Sequence, residues 1–352
     1  MQNSKDQNYS SMDGGRCSRL LDETSKHISQ SLASVMSCAP TAFELPPTRY
    51  LPPKSSDGSQ IAYIHRDGPT CIADHTNERN NIGLVFYPGF LSTMRSSKAC
   101  KVYRYAVDNN LECTLFDRYG HGASRPHYAS DDYDGREATM GRWLDDSLEV
   151  LDKVATSTTS ARQDRTNENS SSSSSSGGNN KQILIGSSMG TWLAVLTAMQ
   201  RPDRVAGIIG IASAPDYTAL LRRQIGCHKA WVRELDEKGY VDLPTVYDRR
   251  GYYRIHRELI DEGDAHLLLD KTKDVALPDG IPIRLIHGLD DEDISSQYSR
   301  RLAERLSCSG NPNVRLELIE KGDHRLSSPE HLQKIHDILD EVVKDVCNSS
   351  YS

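Results

Sequence analysis

The chain has 352 residues, of which 37% are hydrophobic and 26% charged, and its formal net charge is −7. That length and apolar content suffice to bury a full core, in one large domain or two small ones. The negative charge argues against an electrostatic nucleic-acid surface, and no apolar run approaches the ~20 residues needed to span a bilayer.

Residues 1–45 are predicted to form a disordered or loosely docked tail. They lack the layout of a secretory signal, and although Arg16 and Arg19 are compatible with an organelle transit peptide, Asp6 and Asp13 are untypical of one. The eight cysteines form no Cys-x-x-Cys pair, which favours free thiols in a reducing compartment. We therefore expect a protein of the cytoplasm or the mitochondrial matrix that is not secreted.

Residues 46–214 and 281–348 alternate β-like runs with helical patterns, which predicts an α/β fold with a mostly parallel sheet and helices on both faces. Several strands are continuous apolar runs, as is typical of strands covered on both sides. The predicted strands are Gln60–His65, Gly83–Tyr87, Cys113–Phe116, Gln182–Ile185, Gly207–Ile211, Ile281–Ile286 and Arg315–Ile319. The predicted helices are Ser96–Asp108, Gly141–Thr156, Met189–Arg201, Ser296–Leu306 and Pro329–Val346.

Two segments interrupt this alternation. Residues 156–181 contain the run Ser170–Ser176 and are predicted to be a disordered surface insert. Residues 215–280 are rich in aromatic residues and are predicted to form a small helical lid, which would exclude water from a site on the sheet and shape its pocket. The residues expected to line that pocket are Leu91, Trp192, Tyr217 and Tyr247.

The strongest motif is Gly186-Ser187-Ser188-Met189-Gly190, which lies between a predicted strand and a predicted helix. In that context a Gly-x-Ser-x-Gly turn exposes its central hydroxyl at the top of the sheet, and its glycines let chain segments pass close together. Ser188 is therefore the predicted nucleophile.

A serine nucleophile needs a base and an acid, which in this fold follow it in the order acid, then histidine, each after a strand. His324 follows the last predicted strand and is the predicted base. In the cluster after the preceding strand, the spacing from Gly288 favours Asp291 as the acid, with Asp290 and Asp293 as alternatives. The cluster does not match the spacing of calcium loops, so we expect no metal ion.

Attack of a serine on a carbonyl group produces an oxyanion, and two backbone N–H groups are expected to bind it. One is that of Met189, at the N-terminus of the helix after the nucleophile. The other belongs to Phe90, with Leu91 as the second choice, in the loop after the strand that ends at Tyr87. The Gly-rich stretch 117–124 is predicted to position neighbouring groups rather than to react itself.

These motifs, in this order, resemble the α/β-hydrolase superfamily over about residues 84–346. Within it, the segments 86–92, 139–143, 185–190, 281–288 and 323–325 resemble the branch of mitochondrial palmitoyl-protein thioesterases and acyl-glucuronide esterases, and its bacterial relatives. The resemblance implies Ser188, Asp291 and His324 as a catalytic triad. It also implies a substrate that is a small acyl ester or thioester or an S-acylated protein.

No metal or organic cofactor, nucleic-acid partner or membrane span is expected, and a monomer is the default. The alternatives to a hydrolase of acyl esters or thioesters that keep the triad are a C–C bond hydrolase and a peptidase. A non-catalytic binding protein with the same fold is a further alternative, because fold does not fix function.

Overall fold

The computed structural model describes residues 44–53, 58–68, 82–125, 135–155, 181–245, 250–270, 272 and 274–349. The predictions for residues 1–43 of the tail, for residues 156–180 of the insert and for Tyr247 therefore lie outside the described residues. Lys181, the last residue of the predicted insert, is instead the first residue of a strand. Within the described part, no helix combines the length and the apolar character needed to cross a membrane.

The centre of the described structure is a sheet of eight strands, accompanied by a separate two-stranded hairpin. The strands are β1 (Arg49–Tyr50), β2 (Ala62–Arg66), β3 (Ile82–Tyr87), β4 (Glu112–Asp117), β5 (Lys181–Ser187), β6 (Val205–Ile211), β7 (Tyr240–Pro244), β8 (Tyr252–His256), β9 (Ile283–Gly288) and β10 (Val314–Ile319). The order in the large sheet is β1-β2-β4-β3-β5-β6-β9-β10, and all pairs from β4 to β10 are parallel. Because parallel strands end at the same edge, the loops after β3, β5, β9 and β10 meet there.

Helices cover both faces of this sheet and create two hydrophobic cores. They are α1 (Ser97–Asp108), α2 (Met140–Lys153), α3 (Met189–Gln200), α4 (Tyr217–Gly226), α5 (Lys229–Lys238), α6 (Arg257–Gly263), α7 (Gln297–Cys308) and α8 (Pro329–Ser349). Trp143 of α2 and Trp192 of α3 belong to one core, whereas Val102 of α1 and Leu339 of α8 belong to the other. Side chains of this size each stabilise the fold by about 1.5–3 kcal/mol when buried.

The predicted α/β fold, with its mostly parallel sheet and helices on both faces, is confirmed. All predicted strands and helices are present, and their ends differ by a few residues. The strand predicted from Ile281 begins at Ile283, because Pro282 has no N–H to donate to the ladder.

The segment between β6 and β9 contains the helices α4, α5 and α6, but also the antiparallel hairpin β7–β8, so the prediction of a purely helical lid is incomplete. Val241, Leu243 and Ile255 point to the buried face of the hairpin, while Asp242 and Arg254 pair across the other face. This alternation with a period of two residues is typical of strands. It was missed because each run is only five residues long.

Hydrogen bonds attach the lid segment (residues 215–280) to the core. The Glu262 carboxylate accepts from the N–H of Gly141, in the first turn of α2, at 2.9 Å. A carboxylate at a helix N-terminus also benefits from the helix dipole. The indole Nε1 of Trp192 donates to the carbonyl of His266 at 2.8 Å. The lid segment is thus held against both α2 and α3.

Candidate active site

The turn between β5 and α3 places Ser188 at the end of the sheet in a strained backbone conformation. Its φ is 55° and its ψ is −123°, a combination that costs an L-residue about 1–3 kcal/mol. Glycines flank it because the chain is crowded there. A Cβ on Gly186 would lie 2.3 Å from the Cα of Thr191, and one on Gly190 would lie 2.1 Å from the carbonyl oxygen of Tyr87.

Hydrogen bonds to neighbouring chain segments hold Ser188 in this conformation. Its N–H donates to the carbonyl of Ile211, the last residue of β6, at 2.7 Å. Its carbonyl accepts from Thr191 at 3.0 Å and from Ala214 at 3.1 Å. The side chain remains partly accessible, so the hydroxyl is fixed in place and open to a substrate.

The loops after β9 and β10 are brought together by two glycines. A Cβ on Gly288 would lie 2.0 Å from the carbonyl oxygen of Gly322, so neither loop could approach the other with a side chain in between. The N–H of Asp290 donates to the same carbonyl at 3.0 Å. This close approach places the side chains of Asp291 and His324 side by side.

Ser188, Asp291 and His324 form a continuous hydrogen-bonded chain. The Nδ1 atom of His324 lies 2.7 Å from Oδ2 of Asp291, and its Nε2 atom lies 3.1 Å from Oγ of Ser188. The carboxylate can only accept, so Nδ1 carries the proton and Nε2 is free to accept the serine proton. This is the arrangement in which a histidine acts as general base toward a serine.

Four donors surround the Asp291 carboxylate, which is 3% exposed. The N–H groups of Asp293 and Ile294 donate to Oδ1 at 3.0 and 2.8 Å. Oδ2 contacts His324 and also Nε2 of His287, at 2.9 Å. Burial alone would raise the pKa of Asp291, but the hydrogen bonds from His287 and His324 outweigh it and lower the pKa to about 2.

The loop that carries His324 is anchored on both sides. The N–H of Leu326 donates to the Asp323 side chain at 2.9 Å, and the ammonium of Lys98, on α1, donates to the carbonyl of Arg325. Burial lowers the pKa of Lys98 to about 8, although the charges of Asp323 and Asp291 act in the opposite direction. Lys98 thus connects α1 to the residue that follows the histidine.

The loop after β3 (Pro88–Ser92) lies against Ser188, and we call it the oxyanion loop because its N–H groups are predicted to bind the oxyanion. A Cβ on Gly89 would be 3.2 Å from the Cβ of Ser188, so glycine permits the contact. The N–H of Ser92 donates to the carbonyl of Gly89 at 3.0 Å, and Leu91 in this turn has a φ of 57°. Because a peptide group is planar, fixing the Gly89 carbonyl also fixes the opposite direction of the Phe90 N–H.

Arg118, almost fully buried, holds the oxyanion loop from beneath. Its guanidinium donates to the carbonyls of Pro88 and Gly89, at 2.8 Å each, and to Nε2 of His121 at 3.0 Å. It also lies over the Trp143 ring, 5.0 Å from its centroid. Burial, together with the charge of Arg118, keeps the pKa of His121 well below its usual value, so His121 is a neutral acceptor.

The Phe90 ring is the centre of an aromatic cluster between the core and the lid segment. Its centroid lies 5.5 Å from that of Tyr217 and 5.4 Å from that of Tyr253, both of the lid segment. On the core side, the centroids of His121 and Trp143 lie 5.9 and 6.1 Å away. The lid segment therefore meets the oxyanion loop through aromatic contacts.

The other residues singled out in the sequence have different positions. Asp290 and Asp293 are exposed, and Asp293 contributes a backbone N–H to Asp291. Trp192 is completely buried in α3, and its indole donates to the carbonyl of His266 in the lid segment. We therefore assign it a packing role instead of the expected place in the pocket wall. Tyr247 lies outside the described residues.

One set of potential metal ligands is present among the described residues. Atoms of Asp291, Asp293 and His324 lie within 4.8 Å of one another. Hydrogen bonds already engage both oxygens of Asp291 and both ring nitrogens of His324.

Sequence reasoning missed three residues that support the site: His287, Lys98 and Arg118. His287 carried the clearest signal, because a histidine at the end of an apolar strand needs polar partners when it is buried. Arg118 had a weaker signal, since its stretch was predicted to position neighbours. Lys98 had none, because its partner is 227 residues away in the chain.

The sheet order, the strained serine turn between β5 and α3, and the acid and histidine on the loops after β9 and β10 define an α/β hydrolase. Residues 85–334 match the model of the alpha/beta hydrolase family, and the chain therefore belongs to that family.

Similar proteins agree with this assignment. The chain is 29% identical over 285 residues to the mitochondrial palmitoyl-protein thioesterase ABHD10 of Mus musculus, covering 81% of this chain and 83% of that protein. The Homo sapiens protein of the same name is 26% identical over 291 residues, covering 83% and 82%. The structure of mouse alpha/beta hydrolase domain-containing protein 10 aligns with a TM-score of 0.64 at 29% identity, covering 86% of this chain and all of that one.

Proposed function

We propose that this protein is a serine hydrolase that cleaves acyl esters or thioesters through an acyl-enzyme on Ser188. The observation that carries the proposal is the position of the His324 ring, 3.1 Å from the serine hydroxyl and 2.7 Å from the Asp291 carboxylate. A hydroxyl with an oriented imidazole at this distance is a nucleophile with its base in place.

In the proposed reaction, Ser188 Oγ attacks the acyl carbonyl while His324 Nε2 takes its proton. The N–H groups of Met189 and Phe90 bind the oxyanion that forms. The tetrahedral intermediate collapses, the acyl–oxygen or acyl–sulfur bond breaks, and His324 returns the proton to the departing alcohol or thiol. Water then attacks the acyl-enzyme with His324 again as base, and the carboxylic acid and the free serine result.

Two observations support an acyl substrate. The relatives named above are palmitoyl-protein thioesterases. The oxyanion loop also places Phe90 in an aromatic cluster with Tyr217 and Tyr253, beside the turn at Leu91. We propose Leu91 and Tyr217 as residues that contact the acyl chain of a small ester or thioester or of an S-acylated protein.

The test is turnover of p-nitrophenyl esters and acyl-CoA thioesters of increasing chain length by the purified protein. Wild type should release acid from at least one series, and Ser188→Ala should lose the activity by about 10⁶-fold, as expected for a triad nucleophile. Folded wild type that hydrolyses neither series would overturn the proposal, and cleavage of peptide or C–C substrates by the same preparation would favour the alternatives.

A further inference from the structure

A second histidine contacts the carboxylate of the predicted catalytic acid. His287 lies near the end of β9 and is completely buried. Its Nε2 atom is 2.9 Å from Oδ2 of Asp291 and 2.9 Å from the carbonyl oxygen of Ile294. The Nδ1 atom of His324 approaches the same Oδ2 at 2.7 Å. One carboxylate oxygen therefore lies between two imidazoles.

The hydrogen bonds of His287 determine which of its nitrogens carries the proton. Both groups that face Nε2, a carboxylate and a carbonyl, can only accept, so Nε2 must be protonated. Nδ1 lies 2.7 Å from the hydroxyl of Ser299, a buried residue of α7 that can donate to it. The neutral Nε2–H tautomer thus satisfies both ring nitrogens, and no charge needs to be buried on this ring.

We propose that His287 is a positioning residue for the hydrolytic reaction: it holds the Asp291 carboxylate toward His324 and reduces the negative charge that Oδ2 presents to it. This inference rests on the proposed function, because it assigns His287 a role in the same proton relay. It also explains why a buried polar side chain occupies a strand whose other inward positions are mostly apolar.

The geometry predicts the direction of the effect. A second donor on Oδ2 withdraws negative charge from that oxygen, which weakens its attraction for His324. Without it, the carboxylate would carry more negative charge at Oδ2 and would bind the imidazolium of His324 more strongly. The carboxylate would also lose one of the contacts that orient it, which lowers the rate of the proton transfer.

Three other charged groups lie near Asp291 and His324: one in the loop after β9, one on α1 and one next to His324 in the chain. The Asp293 carboxylate, in the loop after β9, lies within 4.8 Å of ligand atoms of Asp291 and His324, and Lys98 reaches the same region from α1. Asp323, next to His324 in the chain, also acts on Lys98. All three groups are unchanged in the variants compared below, so their effects cancel in the comparison.

The experiment compares His287→Leu, which removes the donor, with His287→Gln, which offers an amide N–H in its place. We measure kcat and kcat/KM for a p-nitrophenyl ester from pH 5 to pH 9, with the active fraction counted by fluorophosphonate titration. For His287→Leu we expect the acid limb of the pH profile of kcat/KM to move to higher pH by about half a unit to one unit. We also expect kcat to fall about tenfold. His287→Gln should restore the acid limb of wild type.

Ser299→Ala is the second variant, because it keeps the imidazole and removes only the hydroxyl that orients it. Its acid limb should move in the same direction by a smaller amount, and it decides the question if His287→Leu does not fold. A purely structural role would reduce the active fraction and leave the limb in place, and that result overturns the inference. Wild type that hydrolyses no ester would instead overturn the proposed function, so the two failures are distinguishable.

Discussion

Replacing Asp291 by asparagine is the most informative change to this site, because every contact of its carboxylate is with a donor. Oδ1 accepts from the N–H groups of Asp293 and Ile294, and Oδ2 from His287 and His324. An asparagine keeps the shape but replaces one acceptor oxygen by an NH₂ group. Whichever way the amide is turned, that NH₂ group faces donors.

The cost follows from the proton positions. With the NH₂ group at the Oδ2 position, Nδ1 of His324 has to accept, so its proton moves to Nε2 and the ring no longer accepts the proton of Ser188. In serine proteases the corresponding change lowers kcat by about 10⁴, which is about 5.5 kcal/mol at 1.36 kcal/mol per factor of ten. Turning the amide the other way leaves two backbone N–H groups without an acceptor, at about 1–3 kcal/mol each in stability.

The assay is kcat on a p-nitrophenyl ester, with Asp290→Asn and Asp293→Asn as matched controls. Both control residues are exposed, and each control substitution removes one negative charge, as Asp291→Asn does. We expect kcat of Asp291→Asn to fall about 10⁴-fold and that of each control to stay within about tenfold of wild type, since exposed charges are well screened. Asp291 is not the acid of this site if Asp291→Asn retains more than a tenth of the wild-type kcat, or if Asp293→Asn loses as much.

Three further predictions concern the turn, the oxyanion loop and the pH dependence of stability. Gly190→Ala places a Cβ 2.1 Å from the Tyr87 carbonyl oxygen and should destabilise the fold by about 1–3 kcal/mol in urea unfolding; Gly226→Ala, in open space on α4, should not destabilise it. Arg118→Lys keeps the charge but cannot donate to the carbonyls of Pro88 and Gly89 at the same time, so kcat should fall about tenfold with little change in KM. An unchanged kcat would contradict a role of Arg118 in positioning the oxyanion loop. The pKa of Asp291 is about 2 in the fold against 3.8 unfolded, so its contribution of about 2 kcal/mol is present above pH 4 and lost as pH falls toward 2. Urea titrations of wild type and Asp291→Asn should therefore converge at low pH.

Much of the fold was predictable because the parallel strands are covered on both faces and read as continuous apolar runs. Ser188 was recognisable because its turn needs glycines at fixed positions on both sides. Asp291 and His324 were predicted from their places after two strands, and the structure brings both to the serine. The features that depend on local sequence, including the order of the three site residues along the chain, could thus be predicted.

The supporting contacts were not predictable, because they join residues far apart in the chain. Lys98 meets the loop of His324 across 227 residues, and Arg118 meets Pro88 across 30. The hairpin β7–β8 was missed because its alternating pattern is short and lies between two helical segments. Trp192 was expected in the pocket, but burial in the core decides its environment.

If Ser188 is an activated nucleophile, it should react with a fluorophosphonate. The measurement is the intact mass of the folded protein after this reaction, followed by peptide mapping. We expect one adduct per chain of wild type, on the peptide that contains Ser188, and no adduct on Ser188→Ala. Folded wild type that forms no adduct, or Ser188→Ala that is labelled as fast as wild type, would contradict this expectation.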